Sequence, residues 1–527
     1  MDTGAKTQGG LNPGAGRVFL VFVVLSFVVF GRNLFNDYAY DSTILIQRLQ
    51  GPPQAKLSDL VDPARFGEVT AILSWRPLTA LSLLIFDVRM FHAIPLFSHA
   101  LNLLLHGLNG FLLFVLLGRL PGLRGAPAGA GALLFLVHPL VSEAVLCAGF
   151  RGDLLATAGI LGCALLFLRW YEGCATEGER ARGLLFAAAA AFGLGLLAKE
   201  VAVVAMACVP ALAVLAWPRR RRALADAAVG GALLFAVFLI FLAFWRVFRF
   251  PEYPAEYLGG RCRTQGLVNM LAVFREVYLA RLLWPWPLRV DYAFEPLPDC
   301  CDPRIGLALG AMAAFLLVAF LAARRERLCA AGAIWYLVGF APVSQVVPVP
   351  DPVAERFCYV PMLGVALFVA GLVPYVRGSR WISRRFSAGV GILLLIVLAA
   401  VSMRRSYDWL DDITLNIANW EESGDRRPRA LEALGALHLA KAQEDLQKND
   451  GLMASRHLGR ARGSLEALLA ADPEHVAAHR LMSLWGLLAG EPVIAREHAA
   501  AALELAPDDP LAQDAARRAG VLGERSR

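Results

Sequence analysis

The sequence predicts an all-α, polytopic membrane protein of about eleven transmembrane helices followed by a C-terminal helical-repeat domain. Three observations carry that expectation. Hydrophobic residues make up 57% of the 527 and charged residues only 18%, far from the composition of a soluble domain. Apolar runs close to the roughly 20 residues of a spanning helix recur along the chain. After Met403 the composition turns to alternating Ala, Leu, Glu and Arg with no further run of that kind. The net charge of +7 rests on arginines beside the apolar runs, where orientation signals sit, and no zinc or nucleic-acid motif accompanies it. No nucleic-acid partner is expected.

Residues 1–16 read as a cytoplasmic tail. The first apolar run, Val18 to Phe30, follows Lys6 and Arg17, and no small-x-small cleavage site comes after it, only Arg32, Asn33 and Asn36. It is expected to be an uncleaved first span. Spans are placed near 17–32, 97–118, 128–147, 154–170, 183–198, 201–217, 225–246, 305–323, 328–347, 359–376 and 386–403, giving a membrane domain over 17–403. Alternation then puts Arg119 and Arg124, Arg169, Arg180 and Arg182, Arg219 to Arg222, Arg324, Arg325 and Arg327, and Arg377, Arg380, Arg384 and Arg385 on one side, the positive-inside pattern five times over. The count turns on Lys199-Glu200, which breaks two short apolar runs. Reading those runs as one helix reverses everything downstream and moves Arg324 and Arg377 outside, against the charge rule.

Two long outer loops are expected, at 33–96 and 247–304. The first carries an amphipathic stretch, Leu78 to Phe86, expected to lie along the membrane surface. The second contains Trp284-Pro285-Trp286-Pro287 and, at 267–283, an interfacial or re-entrant helix. Cys262 can pair with Cys300 or Cys301 in an oxidising compartment, or all three remain free.

The region 404–527 holds a repeat. Ala471-Asp472-Pro473-Glu474 returns as Ala506-Pro507-Asp508-Asp509, and Pro473 to Pro507 is the 34-residue period of a helix-turn-helix tetratricopeptide repeat. A degenerate unit begins near Pro428 with Leu434-Gly435 and Leu465 to Leu469. Two to three such units make a small solenoid, whose use is peptide or protein contact or simply a cap.

The outer loops collect the remaining ionisable groups, which are costly to keep beside a membrane without a purpose. Asp41, just past the first span, has the position of a general base, or of a loop carboxylate capping the next helix. Glu143 interrupts an apolar helix and needs a partner, for which Arg151 is the nearest in sequence, with Asp153 shaping the same hairpin. His138-Pro139 lies at the outer end of that span. Lys199-Glu200 and Glu355-Arg356, the latter followed by Tyr359, place cations where a lipid phosphate headgroup arrives, or else form local Glu–cation pairs. His92, His99 and His106 are seven residues apart, too far along one helix for any two to chelate an ion, and no metal is expected.

Taken in order, Tyr40-Asp41, Trp75-Arg76-Pro77-Leu78-Thr79, His99 with Leu101-Asn102-Leu103-Leu104-Leu105-His106 and Asn109, His138-Pro139 with Glu143-Ala144-Val145, Arg151 and Asp153-Leu154-Leu155, Lys199-Glu200, Asp291-Tyr292, Ala354-Glu355-Arg356 with Tyr359 and Pro361, and Trp409 resemble the transmembrane and tetratricopeptide-repeat-containing, O-mannosyltransferase-like proteins of the glycosyltransferase C superfamily. The resemblance covers nearly the whole chain. It implies an enzyme that moves a sugar, typically mannose, from a polyprenyl-phosphate donor to a serine or threonine hydroxyl, with the repeats presenting a protein or peptide acceptor. It further implies Asp41 as base, with Asp37, Glu143 and Asp153 as secondary acids. Arg356, Lys199 and Arg151 are implied at the donor phosphate, with His138, Glu200, Glu355 and Tyr359 supporting. Relatives carry two adjacent acids after the first span; here Ser42 follows Asp41, which weakens the case for a divalent metal and leaves Asp37 as an alternative acid.

Phosphate leaves readily, so one base opposite it and cations beside it suffice for the transfer. The alternatives are a membrane scaffold working through its repeats alone and a lipid-linked-sugar flippase, though the paired internal repeats of transporters are not seen. High Ala and Arg usage fits a bacterial inner-membrane protein with a periplasmic C-terminal domain; an endoplasmic reticulum protein with a lumenal one reads the same way.

Overall fold

The computed structural model describes residues 13–51, 54–70, 74–176, 182–217, 223–247, 263–292, 302–345, 351, 353–378, 383–423 and 428–522. All regular elements among them are helical. The chain divides into two compact units, Met1–Leu410 and Asp411–Arg527.

The first unit contains α1 (Pro13–Phe30), α2 (Asp41–Gln50), α3 (Phe66–Thr70), α4 (Pro77–Ser82), α5 (Pro95–Arg119), α6 (Ala126–Val137), α7 (Ser142–Leu146), α8 (Arg151–Thr176), α9 (Arg182–Ala198), α10 (Ala205–Ala216) and α11 (Ala223–Val247). It continues with α12 (Arg263–Val273), α13 (Ala280–Leu283), α14 (Pro303–Ala323), α15 (Arg327–Gly339), α16 (Pro361–Gly378) and α17 (Arg384–Asp408). Seven helices among the described residues are long and apolar enough to cross a membrane, and an eighth span results if the bent pair α6–α7 counts as one. That pair turns by 54° at His138-Pro139, where the proline has no N–H for the helical ladder. The 128–147 stretch is therefore a broken helix. Arg182–Ala198, Glu200–Ala216 and Arg327–Val343 are shorter apolar helices. Leu307, Leu316 and Leu321 on α14 and Ile392, Leu394 and Ile396 on α17 face outward, as a lipid-covered surface requires.

Contacts along the helices fix their directions. Phe19 and Phe22 of α1 meet Phe111 and Phe114 of α5, while Ser26 Oγ donates to the Leu103 carbonyl and Asn33 to His99 Nδ1, so α1 and α5 are antiparallel. The ends of α5 and α8 meet where Arg119 pairs with Glu172 at 3.6 Å. A Cβ on Gly159 of α8 would lie 2.7 Å from Gly195 Cα of α9, a close small-residue crossing. From there α9 rises to Lys199 beside Asp153, and α10 returns to Trp217 beside Tyr171, so the two run in opposite senses along α8 with Lys199-Glu200 at the turn. In the same way α15 and α16 are antiparallel, with Gly332 against Gly364 and Arg325 over Tyr375.

The bundle therefore has two chemically different ends. Arg119, Arg325, Arg377 and Arg384 mark one. The other gathers Asp41, Glu143, Arg151, Asp153, Lys199, Glu200, Glu355 and Arg356. Arg180, Arg219 to Arg222, Arg380, Cys262, Cys300 and Cys301 lie outside the described residues.

The amphipathic stretch Leu78 to Phe86 belongs to α4 and the wide helical turn Leu83–Met90 that continues it. It packs inward: Ala80, Leu83 and Leu84 are buried, and Thr79 Oγ1 donates to the Ala198 carbonyl at 2.7 Å. The 267–283 stretch is helical from α12 through Phe274–Leu279 into α13, with Tyr278 stacked on Phe340. Helix α17 runs past Met403 to Asp408, so Arg405 and Asp408 belong to the first unit.

The second unit comprises α18 (Asp412–Ser423), α19 (Pro428–Gln447), α20 (Gly451–Ala471), α21 (Val476–Ala489), α22 (Pro492–Leu505) and α23 (Pro510–Arg518). Consecutive helices pack in pairs, α19 on α20 and α21 on α22. Gly486 lets the latter pair close, since a Cβ there would lie 2.7 Å from Ala495 N, and Gly490 ends α21 with φ of 76°. Leu439, Leu465, Met482 and Trp485 form the core.

Candidate functional site

Asp41 opens α2. Tyr40 before it holds a φ of 59°, unusual for a bulky side chain, with its ring against Phe150 at 6.0 Å. The start of α2 lies on the turn Ala148–Phe150: a Cβ on Gly149 would be 3.2 Å from Asp41 Cβ, and the Gly149 N–H donates to Ser42 Oγ at 3.0 Å. Burial raises the Asp41 carboxyl above its ordinary value; Arg356 opposes this, Asp351 reinforces it, and Arg76 and Lys199 oppose it. Asp41 therefore lies within the field of three cations.

Each of those cations has a carboxylate partner. The Arg356 N–H donates to Glu143 Oε2 at 2.8 Å and its Nη1 to Oε1 at 2.5 Å, with Nη2 on Asp351 and Cζ over the Phe150 ring at 4.2 Å. Lys199 Nζ donates to both Asp153 oxygens, at 2.8 and 2.7 Å. Arg76 grips Glu200 by two contacts, with Nε on Oε2 at 2.9 Å. The Arg356–Glu143 and Lys199–Asp153 side chains are buried, whereas those of Arg76 and Glu200 are 27% and 36% exposed.

Arg151 is placed apart from this group. The partner of Glu143 is Arg356, not Arg151 as sequence proximity suggested. Arg151 is instead fully buried on Asp87, with further hydrogen bonds to Asn102 Oδ1 at 2.9 Å and Ser98 Oγ at 2.7 Å. Its donors are occupied inside the junction of α5 and α8.

Glu355 accepts from the Arg289 N–H at 2.5 Å and from Tyr292 Oη at 2.6 Å, with Arg405 at 3.9 Å. Burial pushes its carboxyl up to about 7, against the pull of Arg405. Tyr359 Oη lies 2.8 Å from His106 Nδ1, and His106 Nε2 lies 3.0 Å from the Leu136 carbonyl. A carbonyl only accepts, so Nε2 carries the proton and Tyr359 donates to Nδ1 while accepting from Asn109 at 3.2 Å. His138 caps the helical turn after it, accepting from the Leu140 N–H and donating to the Leu282 carbonyl. Asp37 is exposed, with its N–H on the Leu410 carbonyl at 2.8 Å. Among the described residues no three His, Cys, Asp or Glu side chains are grouped to hold a metal ion.

Sequence reading left Asp87, Asp351, Arg405 and the role of Arg76 unassigned. Asp87 carried a signal, as the one acid in the largely apolar run Pro77 to Met90. Asp351 and Arg405 carried none, because their partners lie on other helices. Compared with protein-family models, with curated proteins and with solved structures, the chain has no match in any of the three.

Proposed function

We propose that this chain is a membrane glycosyltransferase of the glycosyltransferase C type, with eleven spans and a C-terminal tetratricopeptide-repeat solenoid. It moves a sugar, mannose or another hexose, from polyprenyl phosphate to a Ser or Thr hydroxyl of a protein on the periplasmic or lumenal face. The observation that carries this reading is Asp41, a half-buried carboxylate packed on the Ala148–Phe150 turn whose Phe150 ring lies under Arg356, with the charges of Arg356, Arg76 and Lys199 acting on it, at the end of the bundle opposite the arginine rows. Seven long helices and the bent pair, with the three shorter apolar helices of the first unit taken as spans too, support a count of eleven. The helix starts Val476 and Pro510 keep the 34-residue spacing of the repeat.

Asp41 takes the proton from the acceptor hydroxyl as its oxygen attacks the anomeric carbon. The bond from that carbon to the phosphate oxygen breaks, and the charge on the departing phosphate develops beside Arg356, Lys199 and Arg76. Asp351, 48% exposed, occupies the Nη2 edge of Arg356 and is the anion that a phosphate displaces. Arg151, saturated by its own partners, holds α8 in place for the site. Mass comparison of glycoproteins from cells with and without this chain tests the reading: loss of hexose from Ser or Thr supports it, and identical glycoproteins contradict it.

A further inference from the structure

The second unit contains two histidine pairs that the transfer reaction does not use. His438 of α19 faces His457 of α20 with Nδ1 atoms 3.0 Å apart, and His479 of α21 faces His498 of α22 with Nδ1 atoms 2.9 Å apart. Each pair is separated by 19 residues in the chain, and the ring geometry repeats, with centroids 5.2 and 5.1 Å apart and ring planes at 35° and 39°. Successive helix pairs thus place the same two imidazoles at the same crossing.

The outer nitrogens fix where the protons lie. His479 Nε2 is 2.9 Å from the Pro473 carbonyl, and His438 Nε2 is 3.4 Å from Glu421 Oε1, which also accepts from Arg460. Neither acceptor can donate, so Nε2–H is the donor and each Nδ1 presents a lone pair to its partner ring. His457 Nε2 lies 3.9 Å from Asp445, beyond hydrogen-bond reach, so its tautomer is not fixed by that carboxylate. Before an ion binds, the partner ring in each pair donates its Nδ1–H to the lone pair; when the proton leaves, both Nδ1 atoms are free to bind one ion set to the side of the line that joins them. Two imidazole nitrogens about 2.1 Å from an ion and subtending roughly 90° are about 3.0 Å apart. The Glu421 carboxylate on His438 and the Pro473 carbonyl on His479 are outer-shell partners of the kind that orient metal-bound histidines.

We infer that each histidine pair is a two-imidazole site for a divalent first-row transition ion, whose other coordination positions are left to water. Cu2+ is the appropriate probe, standing highest in affinity for nitrogen donors. The full-length chain without a polyhistidine tag, in detergent micelles, is titrated with Cu2+ by calorimetry, and its paramagnetic resonance spectrum is recorded. Two ions per chain are expected, falling to one in His457→Ala or His498→Ala and to none in the double variant, with helicity unchanged. The wild-type spectrum shows two imidazole nitrogens per ion, which decides the matter even where a variant loses helicity. Absence of saturable binding, an unchanged count in a folded double variant, or fewer than two nitrogens per ion overturns the inference and leaves a shared proton only.

Discussion

Glu143 and Arg356, 213 residues apart in the chain, hold each other by two contacts inside the bundle, one from the Arg356 backbone and one from its guanidinium. This pair ties the short helix α7 to the segment that opens α16 and positions the cation whose charge bears most on Asp41.

Arg356→Ala leaves the Glu143 carboxylate buried without its cation, at a cost of about 3–5 kcal/mol in stability. The double variant Glu143→Gln/Arg356→Met removes both charges and loses less. Unfolding in detergent micelles measures the difference; equal losses in the single and double variants contradict a coupled pair.

Arg151 and Arg76 separate structure from transfer. The Arg151 and Asp87 side chains are fully buried, so Arg151→Met also costs about 3–5 kcal/mol. The half-exposed Arg76–Glu200 pair contributes within about 1 kcal/mol, so Arg76→Ala melts near the wild-type temperature. Under the proposed reading it raises the KM for the polyprenyl-phosphate donor. An unchanged KM removes Arg76 from the donor site.

Displacing Asp351 from Arg356 is part of donor binding in this account. Asp351→Asn therefore lowers the donor KM, and weaker donor binding in that variant contradicts the displacement. Steady-state kinetics at fixed acceptor reads the result.

Glu355 sets a pH dependence of stability. Its folded-state value of about 7 lies above its ordinary value of 4.5, so the folded protein binds more protons between those pH values than the unfolded chain. Stability is present in full below the ordinary value and is lost as pH rises through about 7. Glu355→Gln flattens that slope in chemical unfolding between pH 5 and 8, and an unaltered slope contradicts the assignment.

Much of the framework was legible because apolar length and flanking arginines are local signals. The expected first span over 17–32 lies within Gly14–Phe35, and the expected last, 386–403, within Arg384–Asp408. The bend at His138-Pro139 was written in the proline but hidden by the apolar run around it. Pairings were not legible: Glu143 has Arg151 eight positions away and finds Arg356 instead, because helix direction, not sequence distance, decides which side chains meet. Asp41 was singled out by its place after the first span, but its surroundings come from four separate segments.

The central claim is that Asp41 is the base for sugar transfer. Membranes carrying the chain, supplied with a labelled polyprenyl-phosphate hexose and a Ser/Thr peptide, measure it. Wild type transfers sugar, with its acid limb above the ordinary carboxylate range because burial raises Asp41. Asp41→Asn, inserted and melting as wild type does, loses about 100-fold or more. Transfer by Asp41→Asn at the wild-type rate contradicts the account.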